Sequence, residues 1–399
     1  MKPSGTIPRW FDARRMAMVV ALAPSTPAFV YDFSIVRDKV GALRAALPPG
    51  VGIHYAMKAN PLPDFVAAMV PLVDGIDIAS GGELAVARAA GAQHISFAGP
   101  GKRDAELEAA IAAGVTINLE STGEADRALA AANRMGVTPR LAVRVNPDFA
   151  LKGSGMKMGG GPAPFGVDAE RAAALVRRLI AAGADWRGFH IFAGSQALDS
   201  AAIAATQEAT MALAGRLTDD VGASPPLINL GGGFGIPYFA GEQPVDLAMI
   251  GARLGATIER RAASLATSRF AVELGRWLVG ECGVYLTRVI DRKDSRGEVF
   301  LVTDGGLHHQ LAASGNFGTV VRRNYPIAVA SRFDAQTAEV VSVVGCLCTP
   351  LDRLGDHVSL PRADVGDVIA LFMAGAYGAS ASPAGFLGHG PAQEVITGI

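Results

Sequence analysis

The sequence predicts an α/β protein, a (β/α)8 TIM barrel joined to a smaller β-rich domain, and three observations predict it. From residue 51 to about 276, short β-branched runs alternate with alanine-rich helical stretches, the pattern of a parallel sheet wrapped by helices. The runs begin near Val51, Gly75, His94, Val115, Leu141, Gly188, Leu227 and Phe270. Eight strand-helix units over this length are what a TIM barrel needs, whereas an open doubly wound sheet usually has fewer. After Arg276 the texture changes to alternating segments, 284–290 and 299–303, joined across 291–297 as a hairpin would be. Further strand-like runs follow at 327–330, 340–344 and 368–372.

Taken in order, the chain opens with Arg14-Arg15 and an apolar run over 16–23, which imitates the start of a signal peptide. That run is short, and Pro24 and Pro27 lead straight into the strand-like Ala28-Phe-Val-Tyr-Asp32, so the segment reads as part of the mature chain. This early strand precedes the barrel count and is expected to join the C-terminal strands. The expected division is therefore a barrel over 34–276 and a discontinuous β-rich domain over 1–33 and 277–399. Helices are expected over 81–90, 104–113 and 169–182. The breaker-rich stretch 152–165 is either a disordered loop or a lid over the barrel mouth.

Composition narrows the partners. With 50% hydrophobic and 18% charged residues in 399, the chain can bury a large core. Lysine and arginine (36) nearly balance aspartate and glutamate (37), and no long basic run occurs, which argues against nucleic acid or an anionic membrane as the main partner. No run is long and apolar enough to span a bilayer. The expected ligand is small. Cys282, Cys346 and Cys348 are too few for a disulfide framework, and no histidine pair stands near them at zinc-finger spacing, so no metal is predicted and the setting reads as reduced and cytoplasmic.

In a TIM barrel the chemistry sits where strands end, and here those positions are polar or glycine-rich. Lys58 follows the first run, Ser80-Gly-Gly-Glu83 the second, Gly99-Pro-Gly-Lys102 the third and Glu120-Ser121 the fourth. Arg144-Val-Asn-Pro-Asp148, Phe192-Ala-Gly-Ser-Gln196, Gly231-Gly-Gly-Phe-Gly235 and Glu273-Leu-Gly-Arg276 close the other four. Alone, Lys58 reads as a solvated lysine at a strand end, or as an amine able to form an imine. The glycine turn exposes N–H groups that can cradle a phosphate, with Arg276 beside it. Glu273 can pair with a protonated ring nitrogen. Lysine, phosphate cradle and acidic partner are together what pyridoxal 5'-phosphate asks of a protein.

Tyr55-Ala-Met-Lys58-Ala-Asn, Ser80-Gly-Gly-Glu83, Gly194-Ser-Gln196, Gly231-Gly-Gly-Phe-Gly235, Glu273-x-Gly-Arg276, Cys348 with Asp352, and Gly375-Ala-Tyr377 resemble, in order, the motif set of the fold-type III pyridoxal phosphate decarboxylases, the diaminopimelate and ornithine decarboxylase family. The resemblance runs from about residue 28 to 395. Lys157-Met-Gly-Gly-Gly-Pro162, Phe192-Ala-Gly-Ser-Gln196, Thr303-Asp-Gly-Gly-Leu-His-His309 and Cys348-Thr-Pro-Leu-Asp352 are similar to the subgroup found with exosortase A systems, related to a decarboxylase of carrier-protein-linked glutamate.

The resemblance implies an alanine racemase-like arrangement of barrel and β-rich domain, and amino acid α-decarboxylation with pyridoxal phosphate. Lys58 then carries the cofactor and Glu273 meets its ring nitrogen. Gly232, Gly233, Arg276 and Tyr377 hold its phosphate, and Glu83 and Ser195 line its site. It further implies a head-to-tail homodimer in which Cys348 and Asp352 reach the partner's site, Cys348 as proton donor, with Arg322 and Tyr325 near the substrate carboxylate. Glu83, Asp77 and Arg144 are equally readable as structural ion pairs. His308, His309 and His389 are open between substrate contacts and ordinary core or surface histidines, and Cys282 and Cys346 read as small structural thiols.

Two departures bear on the substrate. The family's ring-stacking histidine is Phe192 here, which can still stack. The acidic residue that follows the catalytic cysteine is Thr349, and without that carboxylate a free distal ammonium enters the site unpaired. Free diaminopimelate, lysine and ornithine are therefore disfavoured, and both a free and a carrier-protein-linked amino acid stay open as substrates. Two other readings are an alanine-racemase-like racemase, whose second base is a tyrosine while Cys348-x-x-x-Asp352 points elsewhere, and a non-catalytic pyridoxal phosphate carrier, which would resemble the barrel alone.

Overall fold

The apolar run Ala28–Asp32 forms the first strand, β1, of the computed structural model, which describes residues 1–315 and 323–399. The barrel strands follow: β2 (Val51–Ala56), β3 (Gly75–Ile78), β4 (Ile95–Phe97), β5 (Thr116–Leu119) and β6 (Arg140–Asn146), then the two-residue β7 (Met156–Lys157) and β8 (Val167–Asp168), β9 (Asp185–Ile191), the short β10 (Gly194–Ser195), β11 (Leu227–Gly232) and β12 (Arg269–Leu274). Around the ring the order is β5-β4-β3-β2-β12-β11-β9-β6, every pairing is parallel, and β5 with β6 closes the circle. The barrel predicted from eight runs is the barrel observed, with starts displaced by at most a few residues.

Local sequence explains the helices between strands. Ser80 Oγ accepts the Glu83 N–H to start Gly81–Ala89, and Ser121 Oγ accepts the Glu124 N–H to start Thr122–Met135, which Gly136 ends in a left-handed conformation. Asp199 caps the 22-residue helix Ser200–Val221, which likewise ends on a left-handed Gly222. Asp104–Ala112 and Ala169–Ala181 lie within a residue of the predicted spans. Strand ends thus double as helix caps, which fixes the backbone at the end of the barrel where the polar residues cluster.

The second unit is a mixed sheet. β13 (Gly283–Ser295) lies at its centre, with β14 (Glu298–Thr303), β15 (Ile327–Val329), β16 (Glu339–Val344), β17 (Arg353–Leu360) and β18 (Val368–Leu371) in the order β15-β18-β13-β14-β16-β17. β1 pairs antiparallel with β13 and parallel with β19 (Gln393–Thr397), so the N-terminal strand lies among C-terminal ones. The predicted hairpin is longer than its apolar part. Residues 291–295 pair with 298–302, and Arg296-Gly297, both at positive φ, turn the chain in two residues. β17 and β19 carry too many polar residues to show as strands in the sequence.

By contacts the chain divides into Lys39–Gly235 with Pro244–Gly275, and Met1–Asp38 with Ile236–Gln243 and Arg276–Ile399. The sequence boundaries placed 34–38, 236–243 and Arg276 with the barrel. The excursion Ile236–Gln243 belongs to the β-rich unit because Tyr238 and Phe239 pack on Tyr325, at ring-centroid distances of 4.8 and 5.6 Å, and Arg323 pairs with Glu242 at 3.1 Å. The run 16–23 falls in a helix, Ala13–Leu22, capped by Asp12. Among the described residues no helix is long and apolar enough to cross a membrane.

Candidate active site

In the barrel unit, β2 ends at Ala56 and Lys58 sits one turn on, in the 3-10 turn Met57–Ala59, with its side chain exposed. The turn is pinned from both sides. Tyr55 Oη donates to the Asn60 carbonyl at 2.8 Å, and a Cβ on Gly275 would come within 2.9 Å of Ala59 Cβ. The glycine of Glu273-Leu-Gly-Arg276 is therefore required by the lysine turn. Lys58 Nζ lies 5.9 Å from the centre of the Phe192 ring.

Glu273 is buried at the end of β12, with its Oε2 2.9 Å from His190 Nε2, an ion-pair distance without hydrogen-bond alignment. Burial alone would raise its pKa; His190 first, then the charges of Lys58 and Arg144, outweigh this and hold it below the usual carboxylate range. A buried, ionised carboxylate thus lies close enough to Lys58 to feel its charge. Glu83 Oε2 accepts the Ala79 N–H at 2.6 Å, and burial pushes its pKa up against that bond and the charge of Lys58.

Of the three residues left open as ion pairs, Asp77 and Arg144 are paired. Asp77 lies 3.2 Å from His54 Nδ1 and 3.5 Å from Asn229 Nδ2. Arg144 donates to Glu120 at 2.8 Å, and Glu120 also accepts the N–H groups of Gly99 and Gly166.

The glycine turn after β11 has no room for side chains. Gly231 and Gly233 stand at φ 69° and 82°, and a Cβ there would meet Ile191 O at 2.6 Å and Gly194 O at 2.5 Å. A Cβ on Gly232 would overlap Glu273 O. The turn is laced to the segment after β9: Ala197 N–H donates to Gly233 O at 2.9 Å and Gly235 N–H to Ala197 O at 2.8 Å. Ser195 lies in that segment and pairs with Met156, so the stretch 152–165 is attached to the barrel through β7 and β10. Gly155 N–H to Gln196 O at 3.2 Å and Met158 N–H to Ala193 O at 3.3 Å complete the attachment.

In the β-rich unit, Arg276 donates to Tyr238 Oη at 2.9 Å and lies 4.7 Å from the centre of the Tyr377 ring, while its buried Nε has no partner. Tyr377 takes a positive φ of 54°. Tyr325 is buried against Tyr238. Arg322 lies outside the described residues. Cys348 is exposed and Thr349 half-buried on the loop between β16 and β17. Asp352, four residues on, is buried; Oδ1 accepts the Leu307 N–H at 2.7 Å and Oδ2 the Leu347 N–H at 2.8 Å. A Cβ on either Gly306 or Gly345 would overlap this carboxylate. Both oxygens of Asp352 are thus spent on holding the cysteine loop.

The family model for the pyridoxal-dependent decarboxylase, pyridoxal binding domain, matches residues 34–280. The chain belongs to this family. L-glutamyl-[BtrI acyl-carrier protein] decarboxylase of Niallia circulans is 36% identical over 93% of the chain and 88% of that protein, and diaminopimelate decarboxylase of Aquifex aeolicus is 30% identical over 88% and 82%. Among solved structures, diaminopimelate decarboxylase of M. jannaschii in complex with L-lysine has a TM-score of 0.86 at 25% identity, covering 96% of the chain and 89% of that structure. This pyridoxal-dependent decarboxylase is an amino acid carboxy-lyase with pyridoxal phosphate as its cofactor. The decarboxylases matched extend over both units, where a carrier would match the barrel alone.

The residues present fit the cofactor. In the barrel unit an exposed amine suits its aldehyde, a buried ionised carboxylate its ring nitrogen and a side-chain-free glycine turn its phosphate, and the β-rich unit holds a guanidinium with an unspent N–H. Reading the decarboxylase's sequence did not find His190 or Tyr238. His190 lies two residues before Phe192, which follows the end of β9, their rings 6.4 Å apart, and that spacing was the one available signal. Tyr238 had none.

Proposed function

We propose that this decarboxylase acts on an amino acid group with no free distal ammonium, in the first instance a glutamyl group tethered to a carrier protein. The observation that carries the proposal is the loop of Cys348. Thr349 stands directly after the cysteine, and its hydroxyl faces the Leu351 N–H of its own turn at 3.4 Å. The one carboxylate of residues 345–352, Asp352, is committed to two backbone N–H groups. No carboxylate on this loop is free to receive an ammonium, and an unpaired cation in a desolvated site is costly. The relative from N. circulans, whose name specifies a glutamyl group on an acyl-carrier protein, supports the same reading.

In this reading Lys58 would hold the cofactor through its amine, and the Phe192 ring, 5.9 Å from Lys58 Nζ, would help to hold it. Bound pyridoxal phosphate supplies the sink for the electron pair left when carbon dioxide departs. Glu273, kept ionised by its lowered pKa, would hold a proton on the cofactor's ring nitrogen. Gly232, Gly233, Ser195, Arg276 and Tyr377 orient the phosphate end, with Glu83 beside Lys58. Cys348 returns a proton from Sγ to the substrate's α carbon, and Asp352 positions its loop. The family resemblance assigns Arg322 and Tyr325 to the substrate's carboxylate. The protein works in the cytoplasm as a head-to-tail homodimer, each Cys348 serving the partner's lysine.

The test is a panel of free and carrier-linked amino acids with product masses read. Loss of carbon dioxide from the carrier-linked glutamyl group, with no turnover of free diaminopimelate, is the expected result; efficient turnover of diaminopimelate overturns it. Thr349→Glu raises kcat/KM for diaminopimelate at least about tenfold, the worth of one charge-assisted hydrogen bond; an unchanged ratio sinks the distal-amine argument. For the dimer, mixing inactive Lys58→Ala with inactive Cys348→Ala under exchanging conditions restores part of the activity. Continued inactivity of the mixture would show that each site is built from one protomer.

A further inference from the structure

Three side chains from distant stretches of the β-rich unit, none of them given a role above, converge beside the cysteine loop. His308 lies in the turn after β14, Cys346 at the start of the cysteine loop, and His389 just beyond the 3-10 turn Phe386–Gly388. One ligand atom from each lies within 4.8 Å of the others. His308 is fully buried, at 0% exposure, and neither of its ring nitrogens has a hydrogen-bonding partner. Its ring stands 5.1 Å from that of His389, centroid to centroid. Cys346 Sγ is 3.9 Å from both ring nitrogens of His389.

A buried imidazole with both nitrogens unpaired is costly unless something else takes up a lone pair. We propose that His308, Cys346 and His389 form a binding site for a borderline-soft divalent cation, zinc above all, with a fourth position open to water. Two imidazoles and a thiolate with no carboxylate select such a metal over magnesium or calcium. Three protein ligands with one open position is a recurrent zinc arrangement.

The geometry needs little adjustment. Bonds of about 2.0–2.3 Å set tetrahedral ligand atoms roughly 3.5 Å apart, so the cluster must contract by about 1 Å. His389 can supply that movement. It is exposed and flanked by Gly388 and Gly390, at φ 77° and 81°, with open space at both. The neighbouring His309 is fixed, with one nitrogen 2.9 Å from Gly390 O and the other 3.0 Å from Tyr285 Oη, and it props the segment that carries His389.

Protonation agrees with the geometry. Burial, then His309 and His389, lower the His308 pKa to about 4, leaving a neutral ring with a lone pair at physiological pH. Burial pushes the Cys346 thiol up, so the cation must displace its proton and one proton is released on binding. Cys346 stands two residues before Cys348, so an occupied site clamps the loop that Asp352 already holds.

The test uses tag-free, full-length holoenzyme stripped with chelator and titrated with cobalt(II) as a spectroscopic probe, then with zinc against a chromophoric chelator. One equivalent of cobalt is expected to bind with tetrahedral visible bands and a thiolate charge-transfer band that zinc abolishes. Cys346→Ser removes the charge-transfer band, and Cys346→Ser and His389→Gln each weaken zinc binding at least tenfold, with circular dichroism unchanged; both positions are solvent-accessible, so the fold should survive. Cys348→Ser keeps the band. The proposal is overturned if no saturable binding occurs, if the cobalt spectrum lacks thiolate character, or if either Cys346→Ser or His389→Gln binds zinc like the wild type.

Discussion

Lys58→Ala yields a folded protein that retains no cofactor through gel filtration and whose decarboxylase activity falls by at least about three orders of magnitude, the scale seen when a covalent catalytic group is removed. The fold should tolerate the change because the side chain is exposed and the turn is held by its neighbours, through Tyr55 Oη to Asn60 O and the close approach of Gly275. Surface substitutions of this kind shift stability by about 0.5 kcal/mol or less. The loss would therefore be chemical rather than structural. Lys58 is the amine whose charge acts on both Glu83 and Glu273 and which lies near the Phe192 ring. Borohydride reduction of the wild type, followed by peptide mass analysis, should place the cofactor's mass on the peptide bearing Lys58. Cofactor fixed on another lysine, or a Lys58→Ala enzyme within tenfold of wild type, would remove the amine from the centre of the site.

The barrel was legible in the sequence because buried parallel strands need β-branched runs and the helices between them need alanine-rich faces, so each element carries its own signal. The polar residues at strand ends were legible for the same reason: once the runs are counted, the positions after them are known. What escaped has a common physical cause. β17 and β19 are held by pairing rather than by apolar alternation, and the excursion Ile236–Gln243 is set by where Tyr238 and Phe239 find Tyr325. Asp352 resembled a substrate contact by motif, yet its two oxygens bond backbone N–H groups 45 and 5 residues away in the chain. The His308, Cys346 and His389 cluster spans three stretches whose spacing follows no metal-binding pattern. Interactions of this kind belong to tertiary structure, and a sequence shows the donors without showing which of them meet.

Glu273→Gln is the sharpest test of how the barrel shapes the chemistry. Glutamine keeps the volume and one acceptor oxygen but removes the charge, so the enzyme should still bind pyridoxal phosphate through Lys58 while kcat falls by about two to three orders of magnitude, the usual cost of deleting one preorganised electrostatic contact. The carboxylate is well placed to remain charged. Burial works against ionisation, and His190, Lys58 and Arg144 more than reverse it, so its folded pKa lies below the ordinary 4.5. A carboxyl with a depressed folded pKa stabilises the fold above its unfolded pKa, and that stabilisation is lost as pH falls through the folded value. The wild type should therefore lose part of its stability in acid below about pH 4.5, and Glu273→Gln should lack that component. Denaturant midpoints of both proteins between neutral pH and pH 3 measure it. If activity fell by less than tenfold while the acid component vanished, Glu273 would be a structural partner of His190, and the ring nitrogen would need another acid. A kcat lost with the cofactor retained and the spectrum of the bound cofactor altered would instead show that the buried charge acts on the ring.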